Sequence, residues 1–346
     1  MLDLFETLRR LSDLMGPSGF IKAVTDEAEV LMSPYVDEIH RDRLNNIYGV
    51  RRCGKENAKK VMLDAHLDEI GFIVTGHEDG FLRYRTIGGV DPRMLPAREL
   101  ALMTEPVGFG VVASKPPHVL PAGEMDQALS IDDLRIDVGL TQEEAQKRYP
   151  IGTTAVYREK LRRLQGERVC GKALDDRACF TVLLRTLDIL KDETLDVDLY
   201  LLGSNQEETG GDGAMVAAYH INPDCAVAVD VTFATQPDVS KNKAFALGSG
   251  AVIGVGPNMT RWMTERFKAC AKELDMPVNL EIMSGNSGTN GWDIQTAREG
   301  IATQVLSVPL RYMHTPMEVM DLNDMERTAQ LLAAFLRNLG KEALEC

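Results

Sequence analysis

Residue types that bind divalent metal ions follow the apolar runs of this sequence. The run VMLDA leads directly into His66, and LYLLGSNQ leads into a pair of glutamates that ends at Glu208. The run CAVAV is followed by Asp230, and QVLSVPLRYM is followed by His314. Asp175 opens a segment with helical spacing of apolar residues. Imidazole and carboxylate groups suit zinc, cobalt and manganese, so these residues are our candidate metal ligands.

Further acids could supply the proton chemistry of such a centre. Two neighbouring ions repel each other, and a carboxylate shared between them offsets that repulsion. A carboxylate that is not a ligand must then take a proton from the attacking water. Glu207 and Glu208 are adjacent, so one can be the base and the other a ligand. Asp68 follows His66 closely and is placed to orient its imidazole, as carboxylates commonly do for metal-bound histidines.

Each of these signals has an alternative interpretation when it is taken alone. His66 can be a structural histidine, and His314 can be a loop residue. Asp175 can be a helix cap, which the spacing alone favours. The pair Glu207-Glu208 can be a solvated surface pair. Asp230 is harder to explain without a partner, because a buried carboxylate needs a counter-charge or a metal. The placement of these residues at strand ends favours a shared metal centre.

The elements that must position these residues are typical of an α/β fold. The spacing predicts helices over 3–15, 20–34, 175–190, 260–274 and 321–340, and buried strands over 61–65, 195–204, 225–232 and 302–310. The helix over 175–190 is predicted to be amphipathic. Apolar strands that alternate with helices indicate a central mixed sheet with helices on both faces. Ligands of open sheets bind beyond the carboxyl ends of the strands.

The pattern changes between about residues 68 and 163. The stretch GFIVTGHEDGFLRYRTIGG predicts two strands joined by a hairpin turn at Glu78-Asp79-Gly80, and prolines separate the short apolar runs that follow. We therefore predict a β-rich domain over residues 68–163, inserted into an α/β domain formed by residues 1–67 and 164–346.

The composition excludes several classes of function. The chain has 346 residues and a formal net charge of -14, so phosphate backbones and anionic membranes would repel it, and neither nucleic acid nor membrane is expected as a partner. No apolar stretch is long enough to span a bilayer, and the first residues lack a signal-peptide pattern. None of the cysteines form a C-x-x-C pair, which predicts a cytoplasmic protein with reduced thiols: Cys53, Cys170, Cys179, Cys225, Cys270 and Cys346.

Several motifs make the chain resemble the M42 family of metallo-aminopeptidases, also called tetrahedral or glutamyl aminopeptidases. They occur in the order of that family and extend over nearly the whole chain. The motifs are AHLDEIGFIV (65–74), IGGVDPRMLPAREL (87–100), GKALDDRAC (171–179), NQEETGGDGA (205–214), AVDVT (228–232) and LRYMHTPMEV (310–319).

The resemblance implies a catalytic domain with a central mixed sheet, interrupted by a β-barrel-like dimerisation domain. It also implies two divalent metal ions per subunit, with zinc or cobalt favoured and manganese compatible. One ion would be held by His66, Asp175 and Asp230. The other would be held by Asp175, Glu208 and His314, with Asp175 as the bridge. The family tends to have a cis peptide bond after this bridging aspartate.

The mechanism that the resemblance implies is removal of N-terminal residues from short peptides. Glu207 would be the general base that takes a proton from a metal-bridging water, and Asp68 would orient His66. The family further implies dimers that assemble into a tetrahedral dodecamer.

One segment departs from the family pattern. Many members carry a Thr-Asp-Ala-type segment after a glycine-rich loop, whereas this chain has Thr289-Asn290-Gly291-Trp292-Asp293. The resemblance therefore carries no preference for a particular N-terminal side chain. Two other functions stay open on the residues alone: a related metal-dependent deacylase or carboxypeptidase, and a non-catalytic peptide-binding shell.

Overall fold

The computed structural model describes residues 1–121, 123, 129–237, 239–240 and 243–339. Its strands are β1 (Glu38–Arg41), β2 (Ile47–Arg51), β3 (Lys59–His66), β4 (Gly71–Glu78), β5 (Phe81–Ile87), β6 (Glu99–Leu102), β7 (Gly108–Ala113), β8 (Arg135–Asp137), β9 (Thr154–Tyr157), β10 (Arg162–Arg163), β11 (Arg168–Gly171), β12 (Val197–Ser204), β13 (Cys225–Phe233), β14 (Val252–Val255), β15 (Asn279–Ile282), β16 (Ala302–Arg311) and β17 (Glu318–Asp321). Its helices are α1 (Leu4–Ser12), α2 (Lys22–Met32), α3 (Gln142–Arg148), α4 (Leu174–Leu190), α5 (Asp212–Ile221), α6 (Arg261–Glu273), α7 (Gly291–Ile294) and α8 (Leu322–Asn338).

A large mixed sheet forms the main layer, which confirms the predicted fold class. Its strands run in the order β1-β2-β12-β3-β13-β16-β17-β11-β10, with β14 paired to β16 and β15 paired to β14. The central strands β12, β3, β13 and β16 are parallel to one another. Their carboxyl ends therefore meet at one edge of the sheet, where ligands of open sheets bind.

The central strands are apolar on both faces because helices cover both faces. On one face, α1, α2, α4, α6 and α8 pack with strand residues such as Leu63 and Val229. On the other face, α5 and α7 pack with residues such as Met62 and Ala228, which alternate with the first set along the strands. This alternation explains why the strand sequences are continuously apolar.

A closed barrel of the strands β4-β5-β8-β7-β6-β9 forms the second core. All of its strands lie between β3 and β10 along the chain. Phe72 packs edge-on against Tyr84 and Tyr157 at the centre of the barrel. The hairpin between β4 and β5 turns at Asp79 and Gly80, which both have positive φ, as a two-residue turn requires.

One helix differs from its prediction. The helix predicted as amphipathic, α4, is buried nearly all round, because its polar residues pair inside the protein. For example, Arg185 Nε donates to Glu326 on α8 at 2.8 Å. Asp230 lies inside β13, in agreement with the strand predicted over residues 225–232, and the strand continues to Phe233.

The helices and the cysteines bear on two further properties of the chain. In the described part, no helix is both long enough and apolar enough to cross a membrane. Cys346 and Gly340 lie outside the described residues, whereas the other cysteines are free thiols.

Candidate metal centre

The candidate ligands converge at the carboxyl edge of the central parallel strands. His66 is the last residue of β3 and pairs in register with Ser204, the last residue of β12. Glu208 follows in the loop after β12, and Asp230 lies near the end of β13. His314 lies in the loop after β16, where its φ of 60° is in the left-handed region. Four separate segments of the sheet therefore supply side chains to one place.

Asp175 reaches the same edge from the start of α4. Asp175 and Asp176 have non-helical backbone angles at the first turn of that helix, and the peptide bond between them is cis. The carboxylate of Asp175 stands between the two histidines. Its Oδ1 lies 3.1 Å from His66 Nε2, and its Oδ2 lies 3.3 Å from His314 Nε2.

The five candidate ligands form two groups that share Asp175. The inner triad consists of His66, Asp175 and Asp230, and the outer triad consists of Asp175, Glu208 and His314. In each triad, one ligand-type atom per residue lies within 4.8 Å of the others. His314 Nε2 also lies 3.3 Å from Glu208 Oε2. The geometry thus brings all five side chains together in the grouping that the motifs implied.

Asp68 supports both triads. The Nδ1 atom of His66 lies 3.0 Å from the backbone carbonyl oxygen of Asp68, so a proton on Nδ1 leaves Nε2 free to bind a metal. The Asp68 carboxylate lies 3.5 Å from the same nitrogen. It also accepts hydrogen bonds from the backbone N–H groups of Glu207 and Glu208, each at 3.3 Å. One aspartate therefore holds a histidine and the glutamate pair.

Sequence reasoning missed Glu318, a buried carboxylate on β17. It accepts hydrogen bonds from the backbone N–H groups of Leu174 at 2.7 Å, Asp175 at 3.3 Å and His314 at 3.0 Å. Glu318 thus fixes the backbone on both sides of the outer triad. Glu318 does lie in the motif LRYMHTPMEV (310–319), but nothing in that motif indicates the distant partners of its carboxylate.

The segment after β5 approaches the outer triad closely. A Cβ atom at Gly88 would lie 3.1 Å from Glu208 Oε2, and one at Gly89 would lie 3.0 Å from His314 Nδ1. Gly88 also has a φ of 77°, which disfavours other residues. The chain that leaves the barrel strand β5 therefore forms part of the wall of the site.

The electrostatics of the cluster fit a cationic occupant. Burial raises the pKa of Asp230 and of Glu208, and it raises the pKa of Glu207 to about 7. Burial would also raise the pKa of Asp175, but hydrogen bonds with His314 and His66 lower it overall. Among the described residues, no lysine or arginine forms an ion pair with these four carboxylates. Divalent cations would supply the missing charge, and the imidazole and carboxylate donor set suits them.

A cavity of about 200 Å³ opens beside the cluster. Asp175, Glu207, Asp230 and His314 are among its lining residues. Glu207 Oε2 lies 3.8 Å from His66 Nε2 and belongs to neither triad, so its carboxylate faces the space in which a substrate would lie.

Comparisons with known proteins agree on one family. The model of the M42 glutamyl aminopeptidase family matches residues 45–331. A lysyl aminopeptidase of Pyrococcus furiosus is 34% identical, and the match covers 97% of each chain. Among solved structures, an aminopeptidase of Desulfurococcus kamchatkensis has a TM-score of 0.89 at 36% identity and covers 96% of this chain and 94% of its own. The TET1 peptidase of Pyrococcus horikoshii has a TM-score of 0.84 at 28% identity and covers 97% of this chain and 100% of its own.

Proposed function

Because the chain belongs to the M42 family and is therefore an aminopeptidase, we propose that it removes N-terminal residues from short peptides with two divalent metal ions. The observation that carries this proposal is the pair of triads that share Asp175. The inner ion would be held by His66, Asp175 and Asp230. The outer ion would be held by Asp175, Glu208 and His314. Zinc and cobalt suit these donors best, and manganese is compatible with them.

The ions, when bound, would supply Lewis-acid polarisation of the scissile carbonyl and lower the pKa of water at the site. The residues of the chain supply the proton transfers. Glu207 has a raised pKa of about 7, which suits a group that must both accept and donate a proton near neutral pH. It takes a proton from the attacking water and then gives a proton to the leaving amine. Asp68 positions His66 and the loop that carries Glu207.

We further propose that the chain is a homo-oligomer. The Pyrococcus horikoshii TET1 peptidase can assemble into a tetrahedron or a large octahedral shell. By analogy, this chain would form dimers through residues 68–163, and these dimers would assemble into a tetrahedral dodecamer. Exposed apolar side chains in that region, among them Phe109 and Ile151, support this role. The unpaired cysteines support a cytoplasmic location.

The proposed reaction is tested with matched free and blocked substrates. The purified protein, loaded with cobalt or zinc, is assayed against aminoacyl nitroanilides with free or N-acetylated amino groups. We expect release from free amino termini only, loss of activity on chelation, and recovery when metal is restored. Cleavage of the blocked substrates would instead indicate a deacylase or an endopeptidase. Absence of any cleavage would indicate a peptide-binding shell.

A further inference from the structure

A carboxylate that belongs to neither triad lines the cavity beside the metal centre. Glu281 lies on β15 and is half-buried. Its Oε1 accepts a hydrogen bond from the Thr232 hydroxyl at 2.7 Å, and its Oε2 accepts one from the Ser307 hydroxyl at 3.1 Å. These two contacts hold the carboxylate in a fixed position on the cavity wall.

The strand register relates the two hydroxyls that hold Glu281 to the metal centre. Asp230 on β13 pairs directly with Ser307 on β16. Thr232 follows Asp230 by two residues on the same face of β13, a step of roughly 6.5 Å along a strand. Both hydroxyls that hold Glu281 therefore lie beside or just beyond the inner triad. This separation matches the reach of a long side chain whose own carbonyl carbon lies at the metal centre.

The charge of Glu281 is not compensated within the described part of the chain. No lysine, arginine or histidine there forms an ion pair with it, and burial raises its pKa even though two hydroxyls donate to it. A half-buried carboxylate of this kind gains most from a cation that enters the cavity.

The remaining cavity wall suits the stem of a long basic side chain. Phe233, Met283 and Met313 line the same cavity as Glu281 and several residues of the triads. Lysine and arginine carry an aliphatic stem that packs on such apolar surface while the charged head reaches a polar partner. An acidic side chain in the same place would meet Glu281 and the carboxylates of the triads.

We propose that Glu281 selects peptides whose first residue is lysine or arginine. The inference rests on the proposed aminopeptidase reaction and adds the substrate class to it. The warrant is the fixed, uncompensated carboxylate at side-chain distance from the metal centre. A site built to bind a polar group discriminates strongly against analogues that lack it, because its own buried groups then stay unpaired.

The test compares substrates within one enzyme and then compares variants. The cobalt-loaded full chain is assayed on the p-nitroanilides of lysine, arginine, leucine and glutamate. We expect the kcat/KM of the lysyl and arginyl substrates to exceed that of the leucyl substrate, and glutamyl hydrolysis to be slowest. In Glu281→Gln, the ratio of lysyl to leucyl kcat/KM should fall by about 10- to 100-fold, as expected for loss of one charged hydrogen-bonded pair.

Two further variants keep the test decisive. Glu281→Asp retains the charge but withdraws it by one methylene, so the ratio of arginyl to lysyl kcat/KM should rise. Glu299→Gln removes an exposed glutamate outside the cavity and should leave every ratio unchanged. Metal content and thermal unfolding of each variant show whether the fold is retained.

The outcomes separate the two proposals. If the wild-type protein releases no nitroaniline from substrates with a free amino group, the aminopeptidase reaction itself is overturned. Normal hydrolysis with leucine or glutamate preferred would overturn only the role of Glu281. The same holds if the lysyl-to-leucyl ratio is unchanged in a folded Glu281→Gln protein.

Discussion

The two triads that share Asp175 differ in the exposure of their histidines and in the elements that carry their residues. The inner triad is built from residues on or next to central strands, and the His66 side chain is only 2% exposed. The outer triad takes Glu208 and His314 from loops, and the His314 side chain is 35% exposed. Strands surrounded by a packed core hold their side chains rigidly, whereas loop residues open more readily.

The supporting contacts differ in the same direction. His66 is oriented through Nδ1 by the backbone carbonyl of Asp68. Within the described residues, the ring of His314 has no corresponding hydrogen bond on Nδ1, and only its backbone N–H is held, by Glu318. From this difference we predict that the inner triad would retain a bound ion and that the outer triad would exchange its ion with solvent more readily.

The largest effect is expected from Asp175→Asn. The residue belongs to both triads, so its loss should weaken the binding of both ions and reduce peptidase activity below detection. Metal content after gel filtration and activity on a free aminoacyl nitroanilide measure the two effects. Asp192→Asn, an exposed residue just after the same helix, is the matched control. Full occupancy of either site in Asp175→Asn would show that the triads do not share a ligand.

Glu207→Gln separates catalysis from metal binding. Since Glu207 belongs to neither triad, both ions should remain, but kcat should fall by about 10²- to 10⁴-fold with the loss of the general base. Glu208→Gln, a change at the next residue, should instead release the outer ion. Near-normal turnover in Glu207→Gln would remove that residue from the mechanism.

Replacement of each histidine tests the asymmetry itself. His314→Ala should lose the outer ion and keep the inner one, so metal content should fall to a single ion per chain. His66→Ala should release the inner ion and disturb the bridge, so the outer ion should also bind less tightly. In each variant, we expect the dissociation constant of the ion that loses its histidine to rise by more than ~10- to 100-fold. That range is typical of the loss of a group that only contacts a metal ligand. Equal behaviour of the two variants would contradict the asymmetry.

Asp68→Asn should have the smallest effect of this set. The backbone carbonyl that contacts His66 stays in place, but the carboxylate beside the imidazole and beneath the Glu207-Glu208 turn is lost. Metal affinity or activity should fall by about 10- to 100-fold, the range for a group that hydrogen-bonds to a metal-bound histidine. Asp79→Asn, at the exposed hairpin tip of the barrel, should change neither quantity.

The sequence predicts the framework of this molecule well, and physical reasons explain where the prediction stops. Apolar runs such as CAVAV predict buried strands directly, because an apolar pattern is a local property of the sequence. The polar residues of α4 resemble a solvent-facing stripe, but Arg185 pairs with Glu326, far along the chain. No local pattern reveals such a partner, so the amphipathic prediction was wrong.

The same limit applies to the site. Ligand-type residues at strand ends, such as His66, can be proposed from order along the chain. Glu318 and Glu281 cannot, because their roles depend on contacts made only after the sheet has formed. Each is an acid in a four-residue strand, and its local sequence does not relate it to the metal centre. Site residues that belong to motifs at strand ends can be predicted from the sequence. Residues that hold or surround the site through distant contacts are found only in the folded structure.

The most direct test of the central claim is a metal titration of the chelated protein, in which bound cobalt and peptidase activity are followed together. We predict two binding steps of unequal affinity, with full activity reached only as the second, weaker step is completed. A single binding step, or activity that is independent of metal, would contradict a two-ion centre built from an inner and an outer triad.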